Sequence, residues 1–191
     1  MSTKTIATTR SATGVPTGRL AVWWVLVSEI VIFGGLLVSY IMHRLGHPEW
    51  AEEASHTNTW AGAFNTLVLL SSSLSAVLAH KAASHGDGKR AAALLRVTVL
   101  GGLVFLVVKS FEWTHEIREG FTLQAGGFWS YYYTAAGLHA FHVIAGMGLM
   151  LWVAGTAAKN EELHRVENVG IYWHFVDMVW IFLFPLLYIA K

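Results

Sequence analysis

The sequence lacks cysteine and has few charged residues. With no cysteine among its 191 residues, the chain cannot form disulfides, iron–sulfur clusters or thiolate metal sites. Only 13% of the residues are charged, whereas a soluble domain carries about 25%. The net charge of +1 provides no basic field, so we expect no nucleic-acid partner. Together with 54% hydrophobic residues and nine tryptophans, this composition is typical of a membrane protein.

The sequence contains several long apolar runs. A helix that spans the hydrocarbon core needs about 20 mostly apolar residues, and five segments meet this length: Leu20–Met42, Trp60–Ala79, Ala91–Phe111, Trp129–Ala157 and Val169–Ala190. Period-two alternation is absent, so the pattern predicts an all-α membrane helix bundle with five transmembrane helices in one domain, residues 19–191. Residues 1–18 are polar and lack the apolar core of a signal peptide. We expect them to form a flexible cytoplasmic tail.

The distribution of basic residues predicts the orientation of the chain. If the N-terminus is inside, the cytoplasmic segments hold eight basic residues: Lys4, Arg10, Arg19, Lys81, Lys89, Arg90, Lys159 and Arg165. The other side holds three: Arg44, Arg118 and Lys191. Because basic residues concentrate in cytoplasmic loops, we expect the N-terminus inside and the C-terminus outside. Arg96 and Lys109 lie near opposite ends of the third segment, and we expect both to snorkel to the headgroups.

Apart from Arg96 and Lys109, six acidic residues or histidines interrupt or end the apolar segments: Glu29, Glu112, His139, His142, His174 and Asp177. A charge at mid-membrane costs from about 2.5 to more than about 10 kcal/mol, so these side chains must face protein or water, or be neutral. At about 1.5 Å per residue, all but Glu112 fall in the central slab of the membrane, and Glu112 falls near its outer surface. His174 and Asp177 are three residues apart on one helix face, and we expect the carboxylate to orient the imidazole.

Two kinds of metal site can be built from these residues. Paired membrane histidines can hold a haem iron, with His139 or His142 opposite His174. The Glu-x-x-His spacing of di-iron bundles occurs twice, at Glu112–His115 and Glu161–His164, but the predicted topology places the two pairs at opposite ends of the membrane. We favour a buried polar network that holds the helices together. Glu29 remains open between a proton-path acid and a structural residue.

Small and hydroxyl residues indicate close helix packing. The second segment contains Asn65, Thr66 and four serines, and the first contains Phe33-Gly34-Gly35. Small residues let membrane helices approach closely, so we interpret both stretches as packing surfaces. Five other histidines are expected to be solvated in loops: His43, His47, His56, His80 and His85. Five acids fall in the predicted outer loops and offer a surface for a basic partner: Glu49, Glu52, Glu53, Glu116 and Glu119.

Five sequence motifs, taken together, resemble one family. They are SEIVIFGG (Ser28–Gly35), FNTLVLLSSS (Phe64–Ser73), the Glu112-Trp113 pair, GLHAFHVIAG (Gly137–Gly146) and YWHFVDMVWIFLF (Tyr172–Phe184). They resemble, in order and across residues 20–190, the motifs of subunit III of the haem–copper oxidases. Ala140 stands where that family usually has glycine. Longer members have seven helices, and this chain is similar to the short bacterial members with five.

The resemblance implies a non-catalytic subunit of a cytochrome c oxidase in a bacterial inner membrane. It implies no haem, copper or other cofactor in this chain, since the metal centres belong to partner subunits. It implies contact with catalytic subunit I, together with subunit II and further small subunits, and support of proton uptake and turnover stability. It also implies bound phospholipid, with Glu29, Trp23 and Trp24 as candidate lipid-contacting residues.

Three other functions remain as alternatives. The ending LFPLLYIAK (Leu183–Lys191) is similar to accessory proteins of nitric oxide reductases. A small membrane cytochrome would use the histidines as haem ligands. A proton or ion carrier is disfavoured because the charged residues are few and no pair of broken helices marks a transport site. The residues themselves do not distinguish cytochrome c from a quinol as electron donor.

Overall fold

The computed structural model describes residues 17–190, and nearly all of them are helical. The helices are α1 (Thr17–Gly46), α2 (Trp50–Ser55), α3 (Thr59–Ser84), α4 (Gly88–Arg118), α5 (Gly127–Ala157) and α6 (His164–Phe184), followed by a π-helical turn (Pro185–Ile189). Five of these helices are long and apolar enough to cross a membrane, and only α2 is short. The prediction of an all-α bundle with five membrane-length helices is confirmed.

The helices extend beyond the predicted apolar segments. Helix α4 ends at Arg118, seven residues after the predicted Phe111, because backbone hydrogen bonding continues where the side chains become polar. Helix α1 begins at Thr17, so the last two residues of the predicted tail are helical, and the rest of that tail lies outside the described residues. Helix α2 was not predicted. Pro185 has no N–H to bond the carbonyl one turn earlier, and the chain continues from α6 as a π-helical turn.

Four of the long helices form a closed ring. Helices α3, α4, α5 and α6 pack in chain order, and α6 returns to pack against α3. Helix α1 lies outside this ring and contacts mainly α6, with a smaller contact to α5. Only Leu26, Phe33 and Tyr40 are buried along α1. Their seven-residue spacing places them on one helix face. The core therefore lies among α3–α6, and α1 contacts it along this face alone.

The prediction of small-residue packing is confirmed for α3, whereas the two glycines of α1 pack against no other part of the described chain. In α3, Ser72 and Ser75 are buried, and the Ser75 hydroxyl lies 2.7 Å from that of Thr98 on α4. In α1, Phe33 is buried, but Gly34 and Gly35 have no atom within 4 Å of the position that a Cβ would occupy. Because α1 contacts the bundle along one narrow face, these two glycines point away from it.

Helix α2 covers the end of the bundle where α1 ends and α5 begins. Trp50 is 5% exposed, stacks on Tyr40 with ring centroids 5.8 Å apart, and lies directly over Gly127 at the start of α5. The Glu53 carboxyl lies against Gly126, within 3.1 Å of where a Cβ would be. Burial raises the pKa of Glu53, and the neighbouring Glu49 raises it further. The five predicted loop histidines are all exposed, although His43 and His80 lie within helices rather than loops.

Candidate functional site in the buried polar clusters

A carboxyl–imidazole pair joins α1 to α5. Glu29 Oε2 lies 3.1 Å from His142 Nε2, and the two side chains are 15% and 9% exposed. The distance is that of an ion pair, although the angle in this rotamer is not that of a hydrogen bond. His142 Nδ1 lies 2.8 Å from the Leu138 carbonyl, which can only accept, so Nδ1 carries a proton. One further proton, on either Nε2 or the carboxyl, leaves the pair with no net charge.

Aromatic side chains enclose this pair. The Phe33 ring meets the His142 ring edge-on with centroids 5.4 Å apart, and it also contacts Phe175 on α6. The Tyr172 hydroxyl donates to the His142 carbonyl at 3.4 Å. The pair and the rings around it therefore hold α1, α5 and α6 together near the middle of these helices. It confirms that Glu29 faces protein, and it leaves open whether the proton moves.

The second cluster is centred on a lysine that does not reach the headgroups. Lys109 is 1% exposed, and its Nζ donates to Glu112 Oε2 at 3.1 Å, to the Tyr132 hydroxyl at 3.0 Å, and also to the Tyr188 hydroxyl. The prediction that Lys109 snorkels is wrong. Its side chain lies on the inner face of α4, one turn beyond the buried Phe105, and there the carboxylate and phenols replace water as its partners.

Glu116 completes this cluster and was missed from the sequence. The Tyr132 hydroxyl lies 2.9 Å from Glu116 Oε1 and 3.1 Å from Glu112 Oε1, and its single proton can be donated to only one of them. The Tyr133 hydroxyl bonds the Phe121 carbonyl at 2.7 Å and lies 3.3 Å from Glu116 Oε2. The i, i+3, i+7 spacing of Lys109, Glu112 and Glu116 places all three on one helix face, a signal that sequence reasoning could have used.

The charges of this cluster balance only with an extra proton. It contains one ammonium and two carboxyl groups, all of them buried. An uncompensated buried charge costs several kcal/mol, whereas one proton shared between the carboxyls makes the cluster neutral. Four aromatic rings surround the ammonium with centroids 4.8–5.8 Å from Nζ and add cation–π stabilisation: Trp113, Tyr132, Trp180 and Tyr188.

His139 lies in an aromatic cage. Its side chain is fully buried between Phe105 and Trp180, each with its ring centroid 5.3 Å away. Neither ring nitrogen has a hydrogen-bond partner among the described residues. Although His139 and His142 are three residues apart, they do not share a partner, since His142 pairs with Glu29.

His174 and Asp177 do not pair as expected. His174 Nδ1 lies 2.5 Å from the Ser73 hydroxyl of α3. Asp177 is 4% exposed, and neither of its carboxyl oxygens has a hydrogen-bond partner in the described part of the chain. The prediction that Asp177 orients His174 is wrong. Across the groove between α3 and α6, the Ser73 hydroxyl lies closer to the His174 imidazole than the Asp177 carboxyl does, although Asp177 is only one turn along α6 from His174.

The arrangement does not suit either metal hypothesis. Within residues 17–190, no three histidine or acidic side chains come together as potential metal ligands. A bis-histidine haem needs two facing rings, but His139 is enclosed by aromatic rings, His142 faces Glu29 and His174 faces Ser73. For the di-iron hypothesis, His115 points outward to Glu119 at 3.3 Å rather than toward the buried Glu112.

Comparison with known proteins identifies the family. The family model of cytochrome c oxidase subunit III matches residues 4–191. The chain belongs to the cytochrome c oxidase subunit III family. Cytochrome c oxidase subunit 3 of Corynebacterium diphtheriae is 34% identical over 87% of this chain and 84% of its own length. The corresponding subunit of Thermostichus vulcanus is 32% identical over 86% and 83%, and cytochrome bo(3) ubiquinol oxidase subunit 3 of Pseudomonas aeruginosa is 32% identical over 87% and 82%.

As subunit III, the chain is a multi-pass membrane protein and a non-catalytic part of a haem–copper terminal oxidase. The family carries no metal centre. The motifs that carried the resemblance supply most members of the buried clusters, from Glu29 in SEIVIFGG to Asp177 in YWHFVDMVWIFLF. These clusters lie between helices, so their geometry supports helix packing rather than substrate chemistry.

Proposed function

We propose that this subunit III serves a cytochrome c oxidase of a bacterial cytoplasmic membrane. It packs on subunit I, stabilises it, and supports proton uptake and lipid binding during oxygen reduction. The family match over residues 4–191 carries the proposal. Relatives in Corynebacterium diphtheriae and Thermostichus vulcanus are named cytochrome c oxidase subunits, while one in Pseudomonas aeruginosa is named a ubiquinol oxidase subunit. The electron donor is therefore part of the test.

Contact with subunit I is supported by a fused relative. A protein of Aeropyrum pernix named heme-copper oxidase subunit I+III is 29% identical over 90% of this chain but only 22% of its own length. A name that joins both subunits in one polypeptide favours a direct contact between them. We extend this to subunit II and further small subunits as members of the same complex.

The proposed orientation places the N-terminus in the cytoplasm. Eight basic residues then lie inside and three outside, as the positive-inside rule requires. Residues 19–191 form the membrane domain, preceded by a cytoplasmic tail. The inner ends of α1 and α6 are joined by an ion pair between Arg19 and Glu167.

A groove between α1, α5 and α6 is the candidate lipid site. It has a volume of about 430 Å³ and apolar walls that include Val22, Val25 and Leu149. His164 and Arg165 line it near the start of α6, and the Arg165 guanidinium lies 4.8 Å from the Trp152 ring. An acyl chain suits the apolar walls, and a phosphate suits the guanidinium.

The tryptophans expected to contact lipid do not line this groove. Trp23 and Trp24 are 54% and 74% exposed on α1, and Glu29 does not line the groove either. The tryptophans suit contact with bulk lipid near the interface. An Arg165→Gln variant of the intact complex should lose phospholipid in native mass spectrometry, whereas Arg90→Gln, in the first turn of α4, should keep it. Equal retention in both variants would remove the groove from the proposal.

Proton uptake is supported through packing rather than through transfer by Glu29. Glu29→Gln keeps the size and a polar contact to His142, so turnover and proton pumping in proteoliposomes should survive. Glu29→Leu removes the polar contact and should loosen α1. Loss of pumping in Glu29→Gln with normal subunit content would instead identify Glu29 as a proton-carrying group.

The complex itself provides the main test. The tagged chain is recovered from its native membrane in mild detergent, and its partners are identified by mass spectrometry. We expect a haem–copper subunit I, a copper-bearing subunit II, and oxidation of reduced cytochrome c in preference to quinol. Recovery with a nitric oxide reductase would support the alternative suggested by Leu183–Lys191. Recovery of the chain alone with bound haem would overturn the proposal.

A further inference from the structure

A ring nitrogen of His174 faces out of the bundle at mid-membrane. The side chain is half-buried between α3 and α6, and its Nδ1 is occupied by the Ser73 hydroxyl at 2.5 Å. Whichever atom of that contact donates, Nε2 is left on the open side as either a donor or an acceptor. Asp177 lies one turn further along the same helix with no hydrogen-bond partner among the described residues.

Several exposed hydroxyls in the membrane segments have their hydrogen bonds satisfied within their own helices. Four exposed hydroxyls donate to carbonyls three or four residues earlier on their own helices: Ser28, Ser71, Ser110 and Thr114. Glu29, which is partly exposed, faces His142. Because a polar group in hydrocarbon is costly when it has no partner, the outward nitrogen of His174 marks a surface that lipid tails do not suit.

The depth of His174 points to a helix as the missing partner. His174 is ten residues from the start of α6, about 15 Å along the axis, and Ser73 is 14 residues from the start of α3, about 21 Å. Both positions lie well inside a hydrocarbon core about 30 Å thick, beyond the reach of headgroups. Large apolar side chains flank them: Met178 follows His174 by four residues, Leu70 precedes Ser73 by three, and they are 55% and 45% exposed.

We propose that the α3–α6 face, defined by Leu70, Ser73, His174 and Met178, docks on a transmembrane helix of subunit I. That helix presents a hydrogen-bonding side chain at the depth of His174. The inference rests on the proposed function, which supplies subunit I as the partner, and adds which surface meets it. Polar side chains that bond across membrane helices are a common means of fixing helix pairs.

Cysteine-directed cross-linking tests the face. The chain contains no cysteine, so a single introduced cysteine can carry a benzophenone maleimide in the intact complex. Met178→Cys and Leu70→Cys should cross-link to subunit I. The controls Leu103→Cys and Ile144→Cys lie on α4 and α5, are 47% and 55% exposed in the native chain, and should react only with lipid. Cross-linking from the controls but not from the α3–α6 face would overturn the proposal while preserving the partnership with subunit I.

A matched pair of substitutions separates docking from internal packing. The amide of His174→Gln reaches the position of Nε2, whereas the amide of His174→Asn reaches that of Nδ1 and keeps the bond to Ser73. One interhelical hydrogen bond in a membrane protein contributes about 0.6 kcal/mol. We therefore expect about threefold weaker retention of His174→Asn on subunit I through detergent washing, and near-normal retention of His174→Gln.

The opposite pattern would contradict the inference. If His174→Gln is lost and His174→Asn is retained, the histidine acts only within the chain through Ser73. If neither the native chain nor either variant is recovered with a haem–copper subunit I, the proposed function itself fails. The two failures are therefore distinguished in the same experiment.

Discussion

At the scale of single residues, buried charge in this chain occurs in groups that can be neutral. Glu29 and His142 reach neutrality with one shared proton. Lys109 reaches it with two carboxyls and one proton, while phenol hydroxyls accept from the ammonium and donate to the carboxyls. This organisation follows from the high cost of an isolated ion in a low-dielectric interior. It predicts that removing the single cation harms the protein more than removing one of its partners.

Lys109→Met tests this balance. The substitution preserves the length of the side chain but leaves Glu112 and Glu116 without a cation, at an expected cost of about 3–5 kcal/mol. Glu116→Gln retains a polar group beside Tyr132 and should cost much less. The temperature at which subunit III dissociates from the purified complex measures both. A control, Lys81→Met, changes an exposed lysine near the C-terminal end of α3. Equal dissociation temperatures for all three variants would contradict the argument.

At the scale of elements, helix separation is set by side-chain size at the contacts. A Cβ on Gly62 would lie 2.6 Å from the Phe184 ring, and one on Gly101 would lie 2.6 Å from Ser72 Cβ. Both distances are shorter than real carbon contacts. The close packing of α3 against α4 and α6 therefore depends on these glycines. In α1, by contrast, Gly34 and Gly35 have open space beside them.

Paired alanine substitutions check this dependence. Gly62→Ala forces the Phe184 and Tyr188 rings to move and should cost about 1–3 kcal/mol. Gly34→Ala adds the same methyl group where nothing lies within 4 Å. Since alanine favours a helix over glycine, it should be neutral or slightly stabilising. Dissociation temperatures of the complex compare the two. A large drop in the dissociation temperature of the Gly34→Ala complex would show that α1 contacts a partner at that position.

The packing of α2 should depend on pH. Because burial raises the pKa of Glu53, the folded state binds its proton more tightly than the unfolded state. The packing of α2 then weakens as the pH rises from the ordinary value of 4.5 through the raised pKa. The pKa of Glu49 is lowered, chiefly by its own backbone hydrogen bond. Glu49 therefore strengthens the packing of α2 as the pH rises, but only below 4.5.

Cysteine labelling can measure this change. Ala54 is fully buried and Ser55 is exposed on the same short helix. The labelling rate of Ala54→Cys divided by that of Ser55→Cys should rise with pH above 4.5, and the ratio removes the intrinsic pH dependence of the thiol. Adding Glu53→Gln should flatten the curve. If the ratio rises equally with and without Glu53→Gln, the pH dependence belongs to another group.

At the scale of the whole molecule, the chain is a closed four-helix ring with α1 as a loosely held fifth helix. Most side chains on the outer faces of the membrane helices are apolar, so these faces must meet lipid or the other oxidase subunits. The charged ends of the helices set how this bundle sits in the membrane. The end of the bundle at the α3–α4 turn carries the basic residues Lys81, Lys89 and Arg90, and the opposite end carries α2 and six of the twelve acidic residues.

Impermeant labelling tests the orientation. In right-side-out vesicles, Glu119→Cys at the outer end of α4 should react with a membrane-impermeant maleimide. His85→Cys, at the turn between α3 and α4, should react only after lysis. Both native side chains are exposed, so accessibility within the protein does not limit either reaction. The reverse pattern would invert the proposed topology.

The sequence alone determined the class of the protein. The length of the apolar segments predicts membrane helices, because a helix needs about 20 mostly apolar residues to span the hydrocarbon core. Five motifs in order identified the family. The sequence also located the costly residues Glu29, His139, His142, His174 and Asp177, since any charge in an apolar run is visible without a structure. Even the i, i+3, i+7 face of Lys109, Glu112 and Glu116 is present in the spacing, although Lys109 was assigned to the headgroups.

Only the tertiary structure decided the partners of those residues. Helix period shows which side chains share a face, but not which neighbouring helix supplies the contact. Membrane helices are apolar on every side, and lipid-facing and protein-facing surfaces look alike in sequence. Glu29 therefore meets His142 rather than solvent, Ser73 takes the place expected of Asp177, and Gly34 faces away from the bundle. These outcomes depend on helix rotation and order in the ring, which arise from packing among distant segments.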